Sequence, residues 1–147
     1  MASVFSTDLI NFELDALDKN DAIAQMAAMV VAAGRGSDAA QITRDVQARD
    51  EMGTPQVDGV AIPHARTSGV GQSSVAVARS VNQNIIFDTD EGPAEVLFMI
   101  LVPNDAGDEH ITILSSLARR LMDDEFTKAL RVTNDSNELV ALLESGN

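Results

Sequence analysis

The chain contains no cysteine, no tryptophan and no tyrosine. Without cysteine there is no disulfide framework, no thiolate nucleophile and no cysteine-based metal site. Five phenylalanines are the only aromatics, so the core is expected to be aliphatic. Long apolar runs are also missing: none approaches the roughly 20 residues that a membrane-spanning helix requires. The opening MASVFSTDLINFELD has no positively charged start and no long apolar stretch, so it does not read as a secretory signal. Together these absences predict a cytoplasmic protein. Positive charge is scarce as well, with ten Lys and Arg against 23 Asp and Glu and a formal net charge of −13. Such a surface repels phosphate backbones, which argues against nucleic acid as a partner. It is compatible with steering toward a basic protein surface. Any anionic ligand then needs a locally positive pocket, which makes the few cations worth locating.

The 147 residues are 45 % apolar and carry no internal repeat, low-complexity tract or Pro/Gly/Ser-rich linker. One domain spanning 1–147 with one core is the simplest expectation.

LINFELDA (9–16) alternates apolar and polar residues and reads as a first strand. DKNDAIAQMAAMVVAAGR then places Ile23, Met26, Ala27, Val30 and Val31 on one helical stripe, with Asp18 as N-cap and Gly34 just past the end. SDAAQITRDVQARDEMG predicts a second helix, capped by Ser37 and ended by Gly53, with Arg49 in or near its last turn. TPQVDG reads as a loop, and VAIP as a four-residue strand that Pro63 ends. ARTSGVGQ reads as loop again. SSVAVARSV (73–81) alternates, with Val75, Val77, Arg79 and Val81 on one face and Ala76 and Ala78 on the other. A short IIF segment precedes the turn-rich DTDEGPA. EVLFMILVP (95–103) is apolar without alternation, the pattern of a central strand covered on both faces. A helix follows with Ile113, Leu114, Leu117 and Leu121 on its buried side, then two closing helices, with Ser136 in the place of an N-cap for the last. The intermixing predicts an α/β fold: a single mixed sheet of about five strands, flanked by helices on both sides.

The chain has two histidines. His64 stands just beyond the VAIP strand end, where open α/β sheets gather ligands. Pro63 stiffens its approach, and Gly59, Ala65, Ser68 and Gly69 around it suggest room for a partner to come close. A loop histidine is commonly an idle surface residue, so position alone does not assign it a role. His110 falls at the opening turn of a helix. It is either a polar residue serving the helix end or a second imidazole where the helix terminus favours anions and disfavours ring protonation. Arg49 is by default a surface cation, yet it ends the helix leading toward His64, and a guanidinium there can clamp two phosphoryl oxygens. The spacing of the histidines matches no metal-binding motif. No phosphate-cradling glycine motif and no G-x-S-x-G elbow is present.

Three segments taken together carry a resemblance. ARDEMGTPQVDGVAIPHAR resembles the active-site segment of the enzyme IIA domains of the fructose–mannitol type, part of the bacterial phosphoenolpyruvate-dependent sugar phosphotransferase system. DEHITILSSLARRLMDDEFTKAL resembles that family's second histidine segment, and AIAQMAAMVVAAGRGSDAAQ and NELVALL resemble its opening and closing helices. The resemblance implies the same mixed sheet with helices on both sides. It implies that His64 takes a phosphoryl group from phosphorylated HPr and passes it to a cysteine of a cognate IIB domain, with fructose as the sugar branch. It implies that His110 orients the phosphoryl group or its acceptor nitrogen and that Arg49 neutralises its charge. No cofactor and no metal is implied, and a membrane IIC domain is involved only indirectly. A regulatory, nitrogen-related IIA protein, signalling through phosphorylation-dependent binding, is the alternative. An exposed apolar patch near His64 is expected for docking partners. Two departures from the family pattern stand out: Thr54-Pro55-Gln56-Val57-Asp58-Gly59 lacks the usual glycines and implies a stiffer loop, and position 50 is Asp where Glu is common.

Overall fold

The computed structural model describes residues 3–144. After a single 3-10 turn, Thr7–Leu9, comes β1 (Ile10–Leu14), then α1 (Lys19–Ala32) and α2 (Ala39–Asp50). Four strands follow: β2 (Gln56–Val57), β3 (Val60–Ala61), β4 (His64–Arg66) and β5 (Ser74–Ser80). The remainder is β6 (Val96–Val102), α3 (Glu109–Arg120), α4 (Asp124–Val132) and α5 (Ser136–Glu144).

The sheet is mixed, in the order β1-β5-β6-β3-β2, with β4 also pairing β6. β1 runs parallel to β5, and β5 runs antiparallel to β6. β3 and β4 both run parallel to β6, at Val60↔Val96 and then His64↔Ile100. They are two stretches of one line, so six strand segments fill five positions across the sheet, in agreement with the expected five.

β6 owes its central place to composition: all seven residues are buried. Leu97, Met99 and Leu101 join the cluster with Ile23, Met26, Val30 and Ile42 of α1 and α2. Val96, Phe98, Ile100 and Val102 join Leu117, Phe126, Leu130 and Leu139 of α3, α4 and α5. A side chain such as Phe98 contributes about 1.5–3 kcal/mol by leaving water. β5 divides the same way, Val75 and Val77 toward one cluster and Ala76 and Ala78 toward the other.

Asp18 caps α1 by accepting from the Asp21 N–H, and Gly34 follows its end at φ +80. The N-cap of α2 is Asp38, not Ser37: Asp38 accepts from the Gln41 N–H, while the Ser37 N–H donates to Gly69 O at 2.8 Å. Likewise α5 is capped by Asp135, whose carboxylate accepts from the N–H groups of Asn137 and Glu138, and Ser136 is already helical. On α3 only Leu117 is fully buried; Ile113 and Leu114 are half-buried, and Leu121 is buried just past its end. Val81 lies beyond β5 and is exposed, and the IIF segment forms no strand although Ile85 is buried.

Two expectations near His64 need correction. TPQVDG is not a loop throughout: Gln56 and Val57 pair antiparallel with Ala61 and Val60. The turn between them has both central residues at positive φ, Asp58 at +49 and Gly59 at +80, the requirement that Asp-Gly meets in two-residue hairpins. Nor does the chain leave the sheet at Pro63. Pro63 cannot donate, but its carbonyl accepts from the Ile100 N–H at 3.0 Å, and pairing resumes at His64.

Candidate functional site

His64 opens β4 and is 6 % exposed, so it is a strand residue against the core, not a loop residue. With side chains alternating along the strand, it shares the face of Val60 and Ile62, which belong to the cluster covered by α3. Ala65 points the other way, into the cluster under α1 and α2. Its ring is oriented by a hydrogen bond between Nδ1 and Ile62 O at 2.9 Å. A carbonyl only accepts, so Nδ1 carries the proton and Nε2 keeps its lone pair. Nε2 makes no hydrogen bond among the described residues and is not a buried unsatisfied atom. The strand therefore presents one nucleophilic nitrogen outward.

Burial is the main influence on the ring and pushes its pKa below the usual 6.5. The Ile62 carbonyl opposes that shift, whereas the charges of Arg49 and then His110 reinforce it. His64 is thereby held neutral around pH 7. The same influences show that the structure brings Arg49 and His110 within electrostatic range of His64.

Arg49 lies in the last turn of α2, half-buried. Its Nη1 donates to Gly53 O at 2.8 Å, closing the turn in which Gly53 adopts φ +101. Beside it, Asp50 is a buried anchor. One carboxylate oxygen meets Lys19 Nζ of α1 at 2.6 Å, and the other accepts from the Thr54 hydroxyl at 2.5 Å. The shorter carboxylate at position 50 thus reaches two partners. The residue after Thr54, Pro55, accepts through its carbonyl from the Ile62 N–H at 2.9 Å. This chain of contacts ties the end of α2 to the His64 strand, and Arg131 of α4 holds the hairpin turn through Glu95 at 2.7 Å and the Asp58 carbonyl.

His110 is the second residue of α3, where the helix terminus favours anions. Its Nδ1 is buried and, among the described residues, has no hydrogen-bond partner, an incompletely satisfied group of the kind that marks functional positions. Exposed apolar side chains lie close in sequence to both Arg49 and His110: Met52, 81 % exposed, is three residues past Arg49, and Ile111, 50 % exposed, directly follows His110.

The small residues around His64 do not all give clearance. Ala65 and Gly69 are buried, and only Ser68 is well exposed. Gly69 is small because a Cβ there would stand 2.6 Å from Ile42 Cγ1 and 2.8 Å from Asp38 O. Sequence reasoning also passed over Arg66, the exposed residue two along from His64, whose guanidinium donates to the carbonyls of Asn104 and Gly107. A lone basic residue in an apparent loop carries no pattern that would single it out.

Comparison with known proteins identifies a family and a shared fold. Residues 3–146 match the family described as phosphoenolpyruvate-dependent sugar phosphotransferase system, EIIA 2. The chain is 37 % identical over 132 residues to the fructose-specific EIIA component of the phosphotransferase system from Haloferax volcanii, covering 88 % of this chain and 85 % of that protein. It spans only 14–20 % of several much longer relatives. The fold is similar to nitrogen regulatory protein IIA-Ntr from Neisseria meningitidis, with a TM-score of 0.84, 25 % identity, and coverage of 95 % of this chain and 96 % of the other. It also resembles enzyme IIA-mannitol from Escherichia coli, solved in complex with phosphorylated enzyme IIB-mannitol, with a TM-score of 0.72, 20 % identity, and coverage of 95 % and 96 %. Among the described residues no helix is long and apolar enough to cross a membrane.

Proposed function

This chain belongs to the EIIA 2 family of the phosphoenolpyruvate-dependent sugar phosphotransferase system and is a phosphoryl-carrying component of it, and we propose that Nε2 of His64 is the atom that carries the phosphoryl group. The observation that carries the assignment is the Nδ1 hydrogen bond to Ile62 O, which leaves Nε2 as the free nucleophile on a ring held neutral.

In the reading we favour, the Nε2 lone pair attacks the phosphorus of the phosphohistidine on HPr. The donor's N–P bond breaks, and its electron pair returns to the donor imidazole. The His64 ring gains positive charge, which the Ile62 carbonyl stabilises through the Nδ1 proton. A IIB thiolate then attacks the phosphorus, and the new N–P bond breaks back onto Nε2. Both steps are in-line displacements in which positioning and charge stabilisation do most of the work. Arg49 offsets phosphoryl charge that the −13 chain would otherwise repel. His110 steadies the group from the α3 terminus. Met52 and Ile111 supply the apolar rim on which HPr and IIB seat in turn, at the cytoplasmic side of a membrane IIC domain. The 37 % identity to a fructose-specific component supports fructose as the sugar served.

The test is incubation with phosphoenolpyruvate, enzyme I and HPr, followed by measurement of acid-labile phosphate on this chain. Wild type takes up label and His64→Ala does not; uptake by His64→Ala would overturn the assignment. His110→Ala is expected to accept the group and pass it to IIB poorly. Arg49→Lys is expected to slow loading, because an ammonium cannot replace a bidentate fork.

A further inference from the structure

α3 starts with little of its own to hold it. Its N-cap, Asp108, makes no side-chain capping bond, and the preceding turn rests on Gly107 at φ +67. Asn104, Asp105, Gly107 and Asp108 are all exposed, so burial does not fix this turn. Its backbone bonds are local, from Ala106 to Pro103 and from Ile111 and Thr112 to Asp108. Among the described residues, one side chain hydrogen-bonds to it from outside. Arg66 of β4 donates through Nη1 to Asn104 O at 3.5 Å and through Nη2 to Gly107 O.

Arg66 is two residues beyond His64, on the same face of the same strand, and β4 is locked to β6 at His64↔Ile100 and Arg66↔Val102. The strand that carries the nucleophile therefore also carries the clamp on the turn from which α3, and with it His110, departs. A guanidinium suits this task because its rigid fork grips two carbonyls at once.

We propose that Arg66 is a positioning residue: by bridging the carbonyls of Asn104 and Gly107 it sets the distance between His110 and the phosphoryl group on His64. The proposal rests on the carrier reading above. It treats Arg66 as acting through His110, not as a contact to the phosphoryl group. A misplacement near 1 Å costs on the order of 100-fold in reactions governed by alignment, so loosening this turn is expected to be felt in transfer while leaving the sheet intact.

The experiment measures the rate of phosphoryl transfer from the fully labelled protein to IIB by rapid quench, for wild type, Arg66→Gln, Arg66→Lys, His110→Ala and the Arg66→Gln/His110→Ala double variant. Arg66→Gln is expected to load His64 to the wild-type extent and to transfer about 10- to 100-fold more slowly. In the His110→Ala background the same substitution is expected to change the rate by no more than about 2-fold, since coupled residues are non-additive. Arg66→Lys, with the charge but one donor point, is expected to fall between. Nitrogen-15 NMR of the two histidine rings should show the His110 signals moved in Arg66→Gln and the His64 Nδ1 proton unchanged. Additive losses in the double variant, full-rate transfer by Arg66→Lys, unmoved His110 signals, or wild-type transfer by His110→Ala would each overturn the proposal. Gly107→Ala strains the receiving turn and leaves Arg66 in place, so it checks the result should Arg66→Gln fail to fold; it is expected to slow the same step, and full-rate transfer would count against the bridge. Failure of the carrier reading itself would show earlier, as labelling of His64→Ala.

Discussion

Asp50 offers a perturbation whose size can be worked from its contacts. Its side chain is 7 % exposed, accepts from Thr54 at 2.5 Å and pairs with Lys19 at 2.6 Å. A hydrogen bond to a charged group contributes about 1.5–3 kcal/mol. The Lys19 side chain is 34 % exposed, so the ion pair is screened and adds only about 0.2–1 kcal/mol. Removing Asp50 strands neither partner completely, because Lys19 can turn to water. Asp50→Ala is therefore expected to destabilise the protein by about 2–4 kcal/mol. In urea, with a slope of about 1–3 kcal/mol/M, that moves the midpoint down by roughly 0.7–4 M. Lys19→Ala should remove less than about 1 kcal/mol, and Glu51→Ala, at the exposed neighbouring position, less than about 0.5 kcal/mol. Because the same anchor steadies the turn on which Arg49 rests, phosphoryl loading of Asp50→Ala should also slow. A loss below about 0.5 kcal/mol for Asp50→Ala would show that this network does not hold the loop.

Three further outcomes follow from the structure. His64 has a pKa below its unfolded value of 6.5, so the folded state binds fewer protons there. Its contribution is whole above pH 6.5 and is lost as pH falls through the lowered folded value; His64→Gln should flatten the stability profile in that window, and an unchanged slope would contradict the burial argument. Gly69→Ala should cost about 1–3 kcal/mol through the clash with Ile42 and Asp38, whereas Gly71→Ala, with nothing within 4 Å of its Cβ, should melt like wild type. Stability should also rise with potassium chloride: Arg35, Arg66, Arg79 and Arg120 donate to backbone carbonyls, and among the described residues the ion pairs are Lys19–Asp50 and Arg131–Glu95. That leaves 23 carboxylates largely to repel one another until salt screens them, and a melting temperature that falls with salt would refute this.

The layers of the fold were legible because composition and burial coincide. EVLFMILVP has no polar face, so it lies between two helical layers, and the alternation of β5 sorts its valines and alanines correctly. Caps were legible only where one residue type competes; at Ser37-Asp38 and Asp135-Ser136 two good caps stand side by side, and tertiary contacts decide. The Gly69 carbonyl claims the Ser37 N–H and leaves Asp38 to cap α2. Proline misled at position 63, since a missing donor ends a ladder only if the carbonyl is also idle. The Asp58-Gly59 turn was a readable hairpin signal that flanking strands of two residues each concealed. The three candidate residues of the site stood out from residue type and place, and from the family resemblance. What brings them together did not: Lys19 of α1, Asp50 of α2 and Thr54 of the following loop meet across two helices and a loop, and Arg66 reaches a turn far along the chain.

The central claim is tested most directly by the position of the phosphate on the ring. Nitrogen-15 and phosphorus-31 NMR of the protein phosphorylated through HPr distinguishes the two nitrogens of each histidine. The Nδ1–Ile62 bond predicts a phosphoryl group on Nε2 of His64, with the Nδ1 proton still protected. A phosphoryl group on Nδ1 of His64, or on either nitrogen of His110, would contradict the account.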